Sequence, residues 1–261
     1  MLAGSSRSTD AEGTHAYTYD AIRRLRTVNN SNTALQPNET YTFDAVGNRL
    51  ISHLSNTHAY TRNRLNQDQQ FNYVYDDEGN LTKETSRTDG SFSDFTYDFR
   101  NRMTLIVQKT SGGVETGRAE YVYDALNRRV KSAEAGQTAY FVYDGLNPAF
   151  KLRADGSMIS GRLYTRGLDG ILADEVAGGQ TRWFLRDQVG TVRDLIANNG
   201  VVLNHYVYDS FGRLLFQTNT SIVNDLLFAG REFSTFTGSG YFRARFYDAW
   251  GHCAYRKSRT A

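Results

Sequence analysis

A short unit returns seven times along the 261 residues: aromatic, any residue, aromatic, Asp, with Gly or Asn three residues later. It stands as Tyr17-Thr18-Tyr19-Asp20, Tyr41-Thr42-Phe43-Asp44, Tyr73-Val74-Tyr75-Asp76, Phe95-Thr96-Tyr97-Asp98, Tyr121-Val122-Tyr123-Asp124, Phe141-Val142-Tyr143-Asp144 and, after a gap, Tyr206-Val207-Tyr208-Asp209. Two aromatics at i and i+2 share one face of an extended strand. Asp opens a type I turn, where its carboxylate accepts backbone N–H groups further along. Gly47, Gly79, Asn101, Asn127, Asn147 and Gly212 supply the left-handed residue that closes such a turn with a bulge, and only the first unit breaks the rule, with Arg23. A basic or polar residue and then an apolar one begin the returning strand. The unit is a β-hairpin.

Single hairpins are marginal in water, so consecutive ones are expected to pair side by side into one long sheet. The turn aspartates recur at intervals of 20 to 32 residues from Asp20 to Asp144, which is too short for the four-strand blades of a propeller. Aromatics make up 13% of the chain and hydrophobic residues only 39%, as a thin sheet wall built on large rings requires. No window shows a clean 3.6-residue period, so the expected class is all-β, an array of hairpins forming part of a curled β-shell with no substantial helix.

The reading divides the chain into a Ser/Thr/Gly-rich leader, disordered or a frayed strand (1–16), the hairpin array (17–154), a region of altered signature (155–251) and an aberrant basic tail (252–261). Acids and bases are interspersed, with a net charge of +2 and no basic block, which argues against a nucleic-acid partner. The lone Cys253 excludes an internal disulfide, no apolar run is long enough for a membrane span, and the first residues are too polar for a signal peptide.

The repeats, and above all four ordered blocks behind them, resemble the Rhs/YD-repeat family of bacterial shell proteins and the YD shell of teneurins. The blocks run from Asp187 through Gly190 to Arg193, from Tyr206 to Gly212, from Phe228 through Gly230, Arg231 and Glu232 to Phe233, and from Gly240 through Arg243 and Arg245 to Asp248. The resemblance, which covers about residues 17–248, implies a secreted or cell-surface β-shell that encloses a C-terminal toxin domain, with the 155–251 region as its Rhs repeat-associated core plugging one end. In many members two Asp-Pro-x-Gly segments after the last block cut the toxin free. Here Ala249-Trp250-Gly251 follows Asp248 and no further Asp occurs, so the resemblance implies a shell without autoproteolysis or toxin. A wall too short to close, with open edges at both ends, and a truncated chain are the accompanying expectations.

The site expectations follow. Asp20, Asp44, Asp76, Asp98, Asp124, Asp144 and Asp209 cap turns rather than bind metal, their separation being too large for a shared ion. Asp187, Arg193, Arg231, Glu232, Arg243, Arg245 and Asp248 make structural ion pairs and arginine–aromatic stacks. Arg243 and Arg245 share one face of a strand. None of the five histidines has metal or triad spacing. No catalytic residue, metal or cofactor is expected. The alternative is a carbohydrate- or cell-surface-binding module using an exposed Tyr face, and a third, an aspartyl-type autoproteolytic enzyme, lacks its partner aspartate.

Overall fold

The structure is a computed structural model that describes residues 4–243 and 245–249. It is built from antiparallel strands, and its one helical turn among the described residues is the three-residue Phe228–Gly230. Sixteen strands form a single sheet in strict chain order, from Ala59–Thr61 to Leu214–Gln217; this is the wall. A first sheet of four strands (Ser5–Asp10, Gly13–Tyr19, Leu25–Asn30, Glu39–Thr40) and a two-stranded ribbon (Thr42–Phe43, Arg49–Ile51) precede it. A three-stranded sheet (Glu232–Phe233, Ser239–Tyr241, Phe246–Asp248) follows; this is the plug.

In six of the seven repeats the first aromatic points into the core: Tyr41, Tyr73, Phe95, Tyr121, Phe141 and Tyr206 are all buried, and Tyr17 is half-buried. In three repeats the middle residue points out, leaving Val74, Val122 and Val142 about half exposed, whereas Val207 of the last repeat is buried. The second tyrosine lies along the wall and its hydroxyl donates to a carbonyl of the preceding strands: Tyr75 to Leu65, Tyr123 to Met103, Tyr143 to Arg129. These three tyrosines are therefore half-buried along the wall.

The turns follow one geometry. Asp98 is representative: its Oδ1 accepts the N–H groups of Arg100 and Arg102, while its carbonyl accepts the N–H of Asn101, which stands at φ 59°. Asp20, Asp44, Asp76, Asp124 and Asp209 likewise each accept the N–H of the residue four positions on. Arg23, which broke the sequence rule, occupies the same left-handed position at φ 67°. Asp144 differs. It pairs with Asn147 across a two-residue turn in which Gly145, not Asn147, is left-handed. The reason is Pro148 four positions on, which has no N–H to give the carboxylate.

In several repeats the residue after the turn bolts one unit to the next. Arg102 Nε donates to Asp98 Oδ2 at 2.7 Å, its Nη1 reaches the Asp124 carbonyl at 3.0 Å, and its guanidinium lies 4.9 Å from the Tyr123 ring centre. Arg24 and Arg128 repeat this against Asp44 and Gly145. Asn80 does the same with its amide, bridging Asp76 and Asn101. Arg102→Ala should therefore cost ~1–2 kcal/mol, read as a lower urea midpoint at unchanged m-value. Arg102→Lys should recover less than half of it, because one ammonium cannot fork between two acceptors while stacked on a ring.

Three expectations are corrected. The supposed disordered leader forms two paired strands from Ser5: Thr9 and Thr14 meet hydroxyl to hydroxyl, Asp10 accepts the Glu12 N–H in the turn, and His15 is buried on Asn30. Polar cross-strand pairs hold this hairpin, which composition alone does not reveal. The sheet also crosses residues 154–155 without a break, since Asn147–Leu152 pairs with Met158–Tyr164. Finally, the far edge of the wall is not left bare, because the first sheet and the segment after it pack against the last strands of the wall. Gln36 Nε2 donates to the Tyr208 carbonyl, the Ser210 N–H to Glu39, and Tyr41 packs edge-on to Phe211 at 5.1 Å.

Candidate functional site

The concave face of the wall is filled by the plug. Tyr241 and Phe246 enter one core with Leu65, Tyr73, Phe95 and Tyr121 of the wall, and Phe246 lies 5.0 Å from Tyr121. A second core joins Ile171, Phe184, Leu195 and Tyr206 to Leu226 on the approach to the plug.

Between the two cores runs a buried ionic seam. Wall strands contribute Arg129, Lys151 and Arg162; the plug and its approach contribute Asp225 and Glu232. Arg162, whose side chain is 1% exposed, donates to Asp225 at 2.7 Å and to Glu232 at 3.2 Å. Lys151 donates to the other Asp225 oxygen at 2.6 Å, and Arg129 pairs with Glu232. Arg129 is also walled by rings, 5.0 Å from Phe141 and 4.3 Å from Tyr241. Burial pushes the Asp225 carboxyl up, but the Arg162 and Lys151 charges outweigh it and hold the group well below the usual carboxylate range. Burial likewise pulls the Lys151 ammonium down, and Asp225 and Glu232 more than restore it. Carboxylates saturated by cations are poor proton-sharing partners, so the seam is built for cohesion.

Each block residue has a place. Asp187 accepts the N–H groups of Val189 and Thr191, with Gly190 at φ 87°, so this block is a further turn of the repeat type. It meets the third block directly: Ala229 N–H donates to Thr191 Oγ1. Gly230 sits at φ 66° where a Cβ would stand 3.1 Å from the Asp169 carbonyl and 3.2 Å from that of Gly190. Glu232 is in the seam. Arg231 and Arg243 converge on Asp169 at 2.6 and 2.8 Å. Arg243 and Arg245 do not share a strand face: they lie in the turn after Ser239–Tyr241, with Arg243 at φ 60°, the Arg245 carbonyl accepting the Phe242 N–H, and Arg245 itself exposed. Asp248, in the last strand, is buried opposite Ser239. Asp209 is fully buried and faces His53 at 3.3 Å. Tyr247 of the fourth block donates to the Phe211 carbonyl of the second. Arg193 pairs with Glu12 of the first sheet. The tail from 250 on lies outside the described residues.

The structure also brings in residues that motif reading missed: Arg129, Lys151, Arg162, Asp169 and Asp225. They stand outside the repeated blocks; for Arg129, Lys151 and Arg162 the sequence signal is a charge where the alternation of a wall strand calls for an inward residue, and Asp169 and Asp225 lie in connecting loops. Beside the seam a cavity of about 130 Å³ remains, lined mainly by Phe141, Tyr143, Tyr164 and Leu226.

A wall of consecutive hairpins curled around its own C-terminal sheet defines a hairpin-repeat β-shell. The Teneurin YD-shell family model matches residues 5–250, and the chain belongs to that family. It is 27% identical over 220 residues to the tRNA3(Ser)-specific nuclease WapA of Bacillus spizizenii, covering 80% of this chain and 9% of that protein. It is 25% identical over 246 residues to Teneurin-3 of Danio rerio, covering 90% of this chain and 9% of the relative. Among solved structures it superimposes on that of TcdB2-TccC3-Cdc42 with a TM-score of 0.53 at 14% identity, over 97% of this chain and 17% of the other, a likeness of fold. The chain thus spans about a tenth of the length of the curated relatives it matches.

Proposed function

We propose that the chain serves as the wall and end-plug of an Rhs-type shell, a structural scaffold that in a longer protein shields a C-terminal toxin cargo, and that it is not itself an enzyme. The observation that carries this reading is the seam: the concave face is occupied by the chain's own plug and fastened by five interlocked charges, where a catalytic cleft would need open, convergent groups. A secreted or cell-surface setting goes with the family, and no helix among the described residues is long and apolar enough to cross a membrane. On this reading the nuclease activity named in the WapA relatives belongs to the nine-tenths of those proteins that this chain does not match.

The test has two parts. Purified chain incubated with bulk tRNA and Mg²⁺ should leave the tRNA intact, and its own mass should stay that of the full sequence after days between pH 4 and 8. Cleavage of tRNA that co-purifies with the chain through successive columns, or a defined C-terminal cut suppressed by an Asp248→Asn substitution, sinks the scaffold-only reading.

A further inference from the structure

Away from the seam, the first hairpin places Asp10, Glu12 and His15 together, with one ligand atom from each within 4.8 Å of the others. They line a cleft of about 380 Å³ between the first sheet and the wall strands that carry Arg193 and His205. The side chain of Glu12 is only 5% exposed. Its Oε1 faces Arg193 and, at 3.2 Å, His205 Nε2; its Oε2 is buried with no hydrogen-bond partner among the described residues. An unsatisfied carboxylate oxygen at such depth is costly and calls for a cation or a donor.

The histidines are set in the manner of metal ligands. The Asn30 amide nitrogen donates to the Pro37 carbonyl, so Asn30 Oδ1 faces His15 Nδ1 at 2.8 Å and fixes the proton there. Nε2 then faces Asp10 Oδ1, 3.1 Å away, two electron-rich atoms that need a proton or a shared metal ion between them, at a separation that two adjacent ligands of one ion adopt. His205 repeats the arrangement, with Nδ1 on Asp194 at 2.7 Å and Nε2 turned to Glu12. An imidazole oriented through Nδ1 by an oxygen, with Nε2 free for the ion, is the usual outer-shell pattern.

We propose that Asp10, Glu12 and His15 bind a divalent transition-metal ion of the zinc type, with His205 as a donor from the facing wall strand, so that the ion clasps the first hairpin to the end of the wall. Mixed nitrogen and oxygen donors favour such an ion over Ca²⁺ or Mg²⁺, which take oxygen.

The experiment titrates Zn²⁺ into the EDTA-stripped full chain by calorimetry, in a background carrying His252→Ala and Cys253→Ser so that the tail cannot supply ligands. One Zn²⁺ per chain is expected, with a raised thermal midpoint. His15→Gln and Glu12→Gln should each weaken uptake about 100-fold or more while retaining the β-sheet circular dichroism of the parent. Co²⁺ in the same site should give the strong visible band of a four-coordinate centre, diminished by His205→Gln, and this readout serves if a first-hairpin variant fails to fold. No Zn²⁺ uptake by the parent, uptake unchanged in both His15→Gln and Glu12→Gln, or preference for Ca²⁺ or Mg²⁺ overturns the proposal.

Discussion

Arg162→Leu should destabilise the protein by about 3–5 kcal/mol and loosen the plug from the wall. The guanidinium is buried and donates to both Asp225 and Glu232. Its removal leaves carboxylates short of charge in a low-dielectric seam, and losing one partner of a buried pair costs more than the pair itself contributes. Urea unfolding measures the loss, and limited proteolysis should then cut between the wall and the plug, near Ser221, under conditions where the parent resists. Arg162→Leu combined with Asp225→Asn should recover part of the loss, since the stranded charge goes with it. The pH dependence has a definite sign. A depressed carboxyl adds stability above its unfolded value, about 3.9, and loses it as pH falls through the lower folded value. The gap between parent and Arg162→Leu should thus be full from pH 5 to 8 and narrow in stronger acid. A gap independent of pH would refute the ionic account.

Gly212→Asn should cost about 2–4 kcal/mol, whereas Gly47→Asn should be close to neutral. Both glycines hold the left-handed place in the repeated turn, at φ 85° and 96°. Asn fills that place at Asn101 and Asn127 without difficulty. At Gly47 a Cβ meets only the tip of Arg24, 3.9 Å away. At Gly212 it would lie 2.1 Å from Cγ of Phe228, inside the ring, because the third block packs on this turn. Phe228 is itself held by Tyr247, stacked at 5.8 Å, so overpacking there displaces the plug approach. Thermal or urea unfolding of the two variants decides the matter, and equal costs would mean that backbone conformation alone sets the residue at both sites.

That contrast separates the two kinds of information in this chain. The hairpin was legible because its determinants lie within nine residues: alternating aromatics, an Asp that takes backbone N–H groups, a residue at positive φ, and an N–H four positions on. Where one determinant was missing the local prediction failed for an equally local reason, as Pro148 shows at Asp144. Even the Arg23 exception stayed within the same turn, because neighbouring hydrogen bonds compensate for an unfavourable backbone angle.

Strand order was legible too, since short connections leave consecutive hairpins little choice but to pair. What sequence could not supply were contacts between residues far apart in the chain. Arg162 meets Asp225 and Glu232, Arg231 and Arg243 meet Asp169, and Glu12 meets Arg193 and His205, more than 180 residues on. These pairings have no repeat, because the plug and the first hairpin each occur once. Whether an inward charge becomes a seam, a liability or a ligand depends on what the curl of the wall brings opposite it. Local turn chemistry made the hairpins; burial of unlike charges and rings across the curled sheet decided how they close.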